Sequence, residues 1–164
     1  LVVVAILAIA MVILPSVTSL PTGVDYGLVQ DGCNCHSTAA SDSVTASIDG
    51  VPESYNKSET YTLTVSFTGG PGTEGNENVG GFNLWTSAGT LTSLDSSTQL
   101  NSPQDATHAE EGNNQRSWIL EWTAPDNNES NIEFILHTNS VNGDGSASSA
   151  DMWNRAEATA FGFG

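Results

Sequence analysis

A period-two alternation is the feature that most limits what this chain can become. Tyr61, Leu63, Val65 and Phe67 alternate with Thr62, Thr64 and Ser66, which places the apolar side chains on one face of an extended strand and the hydroxyls on the other. Val44, Ala46 and Ile48 alternate with Thr45 and Ser47 until Gly50-Val51-Pro52 breaks the run, and Trp118, Leu120 and Trp122 alternate with Ile119 and Glu121 until Ala124-Pro125. Segments 82–86, 89–94, 132–138 and 153–161 bring the set to about seven short strands, and no stretch carries a helical period of useful length. Strands with one apolar face can bury it only against another such face. The expected fold class is therefore all-β, an immunoglobulin-like β-sandwich over residues 43–164. The four tryptophans (Trp85, Trp118, Trp122 and Trp153) are read as core. The glycine-rich 69–81 stretch and the polar 95–115 stretch are read as connections, and Asn142-Gly143-Asp144-Gly145 as a hairpin turn rather than a calcium loop.

Ahead of the strands, Leu1 to Leu14 is unbroken apolar sequence, followed by Pro15 and small or hydroxylated residues. That length suits the apolar region of an export signal better than a spanning helix. Residues 1–24 are expected to be a signal peptide or signal anchor, with cleavage after Ser19 as one outcome. With no charge before Asp25 and no initiator Met, the N-terminus reads as truncated, and Phe161-Gly162-Phe163-Gly164 reads as a strand or anchor cut short. Asn56-Lys57-Ser58 and Asn128-Glu129-Ser130 are glycosylation sequons on expected loops. Charge adds a second limit. Nineteen acidic residues face three basic ones, for a net charge of −16. Nucleic acid is excluded as a partner, because phosphate binding needs clustered cations. An extracellular or cell-surface location is expected.

The reactive chemistry is concentrated in residues 25–42. Both cysteines of the chain fall in Asp31-Gly32-Cys33-Asn34-Cys35-His36. A histidine directly after the second cysteine is what covalent haem attachment requires, since thioethers and the proximal iron bond must coexist on one short peptide. Other readings stay open: a strained disulfide between Cys33 and Cys35, a Zn or Cu site completed by His108 or His137, or free thiols. Hydrolases are not supported, for no nucleophile is paired with a base.

Several stretches together resemble the Reeler-like β-sandwich modules of secreted prokaryotic proteins, the choice-of-anchor V domains. These are 31–37, Val51 to Tyr55 running into Thr60 to Val65, Gly81-Phe82-Asn83-Leu84, Trp122-Thr123-Ala124-Pro125, and Asn142 to Ser146. The resemblance implies an exported sandwich tethered to the surface. It also implies a cysteine-pair-plus-histidine motif at Cys33 to His36, usually with two residues between the cysteines, where this chain has only Asn34. Such modules place a histidine shortly before the strand that ends in Trp-Thr-Ala-Pro, which points to His108 as the distal ligand. His137 is expected as an outward surface histidine and Met152 as a packing residue. A five-coordinate haem is an alternative.

The reading is thus an exported, surface-associated electron-transfer module holding haem c. Cys33 and Cys35 attach it, and His36 and His108 are the metal ligands. Its partner is a redox protein or an extracellular electron acceptor, with a membrane tether through the leader or a C-terminal anchor. The alternatives are a structural or adhesion module whose cysteines staple the N-terminal segment, and a metal-binding module.

Overall fold

The computed structural model describes residues 20–72, 77–127 and 130–163. The apolar leader and the second sequon asparagine, Asn128, lie outside them. Nine strands occur in the order β1 (Val44–Asp49), β2 (Thr60–Gly69), β3 (Gly80–Thr86), β4 (Thr90–Ser93), β5 (Thr98–Ser102), β6 (Asp105–His108), β7 (Ser117–Thr123), β8 (Ile132–Ser140) and β9 (Met152–Ala160). They form two antiparallel sheets, β1-β2-β7-β4 and β5-β6-β3-β8-β9. The fold is an all-β sandwich. No helix among the described residues is long and apolar enough to cross a membrane.

The alternation seen in sequence becomes the core through register. Tyr61 pairs with Trp122, Leu63 with Leu120 and Val65 with Trp118, so the apolar sides of β2 and β7 stand together. Against them the second sheet presents Phe82, Leu84, Ala106, Phe134 and Leu136. Leu63, Leu84, Phe134 and Leu136 are fully buried, each contributing about 1.5–3 kcal/mol of transfer free energy. The indoles of Trp118 and Trp122 keep their N–H groups satisfied by donating to the carbonyls of Gly112 and Ala88, both at 3.0 Å. Trp153 is buried as expected but, like the half-buried Trp85, it lies on the outer side of the five-stranded sheet rather than between the sheets.

Two strands replace the expected long connection at 95–115. β6 escaped the sequence pattern because Asp105, Ala106 and Thr107 are all buried; a strand covered on both faces has no apolar–polar alternation to read. His108 accordingly ends a strand rather than riding on a loop. The 141–151 connection is longer than a tight hairpin. Its Asn142 and Asp144 side chains fold back on the loop's own N–H groups, the usual use of Asn and Asp in turns.

Candidate functional site

Residues 20–42 run across the outer face of the five-stranded sheet as a strap fixed at both ends. At the front, Val24 N–H donates to Thr107 Oγ1 at 3.3 Å and Tyr26 N–H to Asp105 Oδ2 at 2.9 Å, while Asn83 Nδ2 donates to the Val24 carbonyl at 2.9 Å. Asp25 caps the single helical turn α1 (Tyr26–Val29), and the Tyr26 ring stacks on Trp85 with centroids 4.8 Å apart. At the rear, Trp153 Nε1 donates to the Ser37 carbonyl at 2.8 Å and Ser41 N–H to the Trp153 carbonyl at 2.8 Å. Gly32 passes over the Trp153 indole at φ +106°, where a β-carbon would collide with the ring. Only glycine tolerates both that conformation and that approach.

Between its two anchors the strap carries the cysteine–histidine motif. A turn closed from His36 N–H to the Cys33 carbonyl at 3.0 Å sets the three side chains. Both cysteines are free thiols, Cys33 half-buried and Cys35 exposed. Burial, with Cys35 adding to it, pushes the Cys33 thiol up to about 12. It therefore stays protonated at neutral pH and is a poor ligand for a free ion. His36 Nδ1 lies 2.8 Å from Asp151 Oδ2. The Asp151 carboxylate is 1 % exposed and already accepts from Asn142 N–H and Ser148 N–H, both at 3.1 Å. An acceptor held in this way receives a hydrogen bond from Nδ1–H, so in the neutral ring the lone pair is on Nε2, which has no partner among the described residues, the arrangement typical of a metal-ligating histidine.

The sheet supplies the opposite wall. Asn83 is directly across from both Thr107 and His137, and Gly81 from Asn139, so these residues share the outer face. His108 lies over Gly81, where a β-carbon would overlap its ring. Its Nδ1 is engaged by the Phe82 backbone, 3.2 Å from the N–H and 3.3 Å from the carbonyl; among the described residues its Nε2 has no partner. Burial lowers the His108 pKa, against an opposing contribution from that backbone contact. His137 corrects the sequence expectation. It is on the outer face as expected, yet only 1 % exposed, because the strap covers it. Burial, reinforced by Arg155, pulls its pKa down to about 4.

Strap and sheet enclose a cavity of about 220 Å³, which Cys33, Cys35, His36, His108 and His137 all line. Val24, Leu28, Val29 and Phe82 make much of the remainder apolar. Every residue the sequence marked for haem binding thus reaches one space from distant parts of the chain. Met152 is not among the lining residues; it packs partly buried against the hydrophobic core. Among the described residues no three His, Cys, Asp or Glu side chains are grouped to hold a single metal ion. The sequence did not mark Asn83, Asn139 or Asp151 for this site. Asn83 and Asp151 carry no motif of their own, Asn139 entered only beside Asn142 and Asp144 as the calcium-loop alternative, and the role of each exists only once the strap is in place.

No family model and no curated protein matches the chain. Among solved structures, the sandwich is similar to the reelin-N domain of F-spondin, with 21% identity over 70% of this chain and 86% of that one, at a TM-score of 0.43. It is also similar to the human F-spondin reeler domain, with 18% identity over 70% and 89% at 0.43. A further likeness is to AvmM, which catalyses macrocyclization in alchivemycin A biosynthesis, with 12% identity over 76% and 92% at 0.41.

Proposed function

We propose that the cavity between strap and sheet is a cofactor site, and that the chain is an exported, surface-associated electron-transfer module for a covalently held c-type haem. Cys33 and Cys35 would hold the group, His36 would be its proximal ligand and His108 its distal one. The observation that carries this reading is the convergence of His36 and His108 on one largely apolar cavity, each with Nδ1 engaged and, among the described residues, Nε2 without a partner. The residues fit the group in kind: two thiols, two imidazoles and an apolar surround. When bound, the haem would supply a one-electron couple. What the chain does is orient and shield. Asp151 aims His36, the Phe82 backbone and the bare Gly81 aim His108, and the apolar lining keeps water away, which shifts the potential of any redox centre. The cavity is smaller than the usual range of about 300–1,000 Å³. A macrocycle would therefore need the 28–36 arch of the strap to rise while the ties of Tyr26 to Asp105 and of Ser37 and Ser41 to Trp153 hold.

A second reading, an extracellular structural or adhesion module, is favoured by a different observation. The strap is held to the sheet by hydrogen bonds at both ends, so its placement needs no covalent link through Cys33 or Cys35. The two readings part on mass. Expressed with an export leader in a host that matures c-type cytochromes, the protein should gain the mass of one haem, and a Cys33→Ala/Cys35→Ala variant should gain none. An unmodified wild-type mass in a host with a compatible maturation system selects the second reading.

A further inference from the structure

We propose that His137, with Asn83 and Asn139, forms the part of this cavity that recognises a carboxyl group on its occupant. The inference deepens the cofactor reading above and rests on it. Four buried side-chain atoms among the described residues lack a hydrogen-bond partner: both ring nitrogens of His137, Asn83 Oδ1 and Asn139 Oδ1. All three residues line the same cavity. They are neighbours by construction, since Asn83 pairs with His137 across β3 and β8, and Asn139 is the next residue on that face of β8. Buried polar atoms are almost always partnered, because leaving one unpaired forfeits its hydration without return. Concentrated on one cavity wall, they mark a surface that the contents of the cavity must complete, ordered water in the empty protein and a polar group of the occupant in the loaded one.

The donors and acceptors on that wall narrow the ligand's chemistry. The Asn83 amide cannot be turned round, for its Nδ2 is spent on the Val24 carbonyl at 2.9 Å and Asp105 Oδ1 at 2.6 Å; Oδ1 faces the site as an acceptor. A neutral imidazole offers one N–H and one lone pair. The wall therefore asks for a group that accepts from His137 and donates to an amide oxygen or to the second imidazole nitrogen. A carboxyl group sharing one proton with the wall does both and spans two partners. A sulfonate brings acceptors only and would leave Asn83 Oδ1 unpaired; a phosphate monoanion keeps an O–H but brings a full charge and further oxygens to a wall of neutral groups. Arg155 stands opposite His137 in register and is paired with Glu157, but it does not line the cavity, so the neutral groups make the contacts. A porphyrin bearing carboxyl side chains has the apolar body and the polar edge that this cavity combines.

The test uses the full chain as C33S/C35S, so that binding stays reversible, with iron protoporphyrin IX and its dimethyl ester as probes in visible-absorption titrations. The free acid should bind more tightly than the ester. His137→Leu should weaken free-acid binding about tenfold or more, weaken ester binding by a clearly smaller factor because the ester accepts but cannot donate, and raise the Tm of the cofactor-free protein by about 2–4 °C, because two orphaned nitrogens are removed. His137→Gln, which keeps a donor and an acceptor, should restore part of the free-acid affinity. Equal weakening of acid and ester overturns the inference, since His137 then acts through shape or metal contact. A lower Tm for cofactor-free His137→Leu also overturns it, because the imidazole is then satisfied in the empty fold. Failure of the C33S/C35S chain to bind either porphyrin overturns this inference, while the cofactor reading is decided separately by the mass of the matured wild-type protein.

Discussion

The two outer faces of the sandwich differ in a way that separates scaffold from site. On the four-stranded sheet, Thr62, Glu121 and Thr92 stand in one cross-strand row and Thr60, Thr123 and Thr90 in another, largely open to water as half-buried sheets usually are. On the five-stranded sheet the same kind of face is roofed by residues 20–42. Asn83, Asp105, Thr107 and His137 are consequently buried at 3 % exposure or less. Covering a polar face costs desolvation unless partners are supplied. Thr107 and Asp105 receive theirs from the strap, whereas His137 receives none. A fold that only needed stability would have left this face wet, so the roof and the gap beneath it are where function is to be sought.

Three changes sharpen that contrast. The largest effect is expected at Asp151, where one buried carboxylate holds His36 and two loop N–H groups. Asp151→Ala should cost about 3 kcal/mol, read as a lower urea midpoint, and should reduce haem retention in the same preparation. The second effect is a pH dependence. His137 has a folded value of about 4 against about 6.5 in an unfolded chain. Between those values the unfolded chain takes up a proton that the folded chain refuses. Stability present above pH 6.5 is therefore lost as the pH falls toward 4, by up to about 3 kcal/mol. Tyr26, Arg155 and Glu157 are the ionisable neighbours that modulate this loss. His108, whose pKa is also lowered, acts in the same direction. The loss should be smaller in His137→Leu when denaturation curves of the two proteins are compared across that range. The smallest effect belongs to the open face. Thr62→Ser should change stability by no more than about 0.5 kcal/mol and cofactor loading not at all; a large effect there would erase the distinction between the faces.

Much of the sandwich was legible because its inner faces obey a single rule. β2 and β7 alternate in sequence and pair in register with their apolar residues aligned, so either could be read alone. β5 and β6 could not, since the polar outer residues of β6 are buried by a segment more than 60 positions earlier in the chain. His137 failed for the same reason: its neighbours Glu133 and Ile135 place it outward, and nothing local announces a roof. The motif residues were legible as chemistry, Cys33 and His36 by spacing and His108 by resemblance, but their meeting in one cavity is a property of the topology. Asp151 had no signal at all, being an ordinary loop aspartate until the strap brings His36 to it.

Whether this roofed face holds a covalent haem is decided by the pyridine haemochrome spectrum of the denatured, extracted protein. After maturation in a host with a compatible attachment system, a c-type spectrum should survive denaturing removal of loose haem and be lost in Cys33→Ala/Cys35→Ala. A colourless protein from that host would contradict the haem reading.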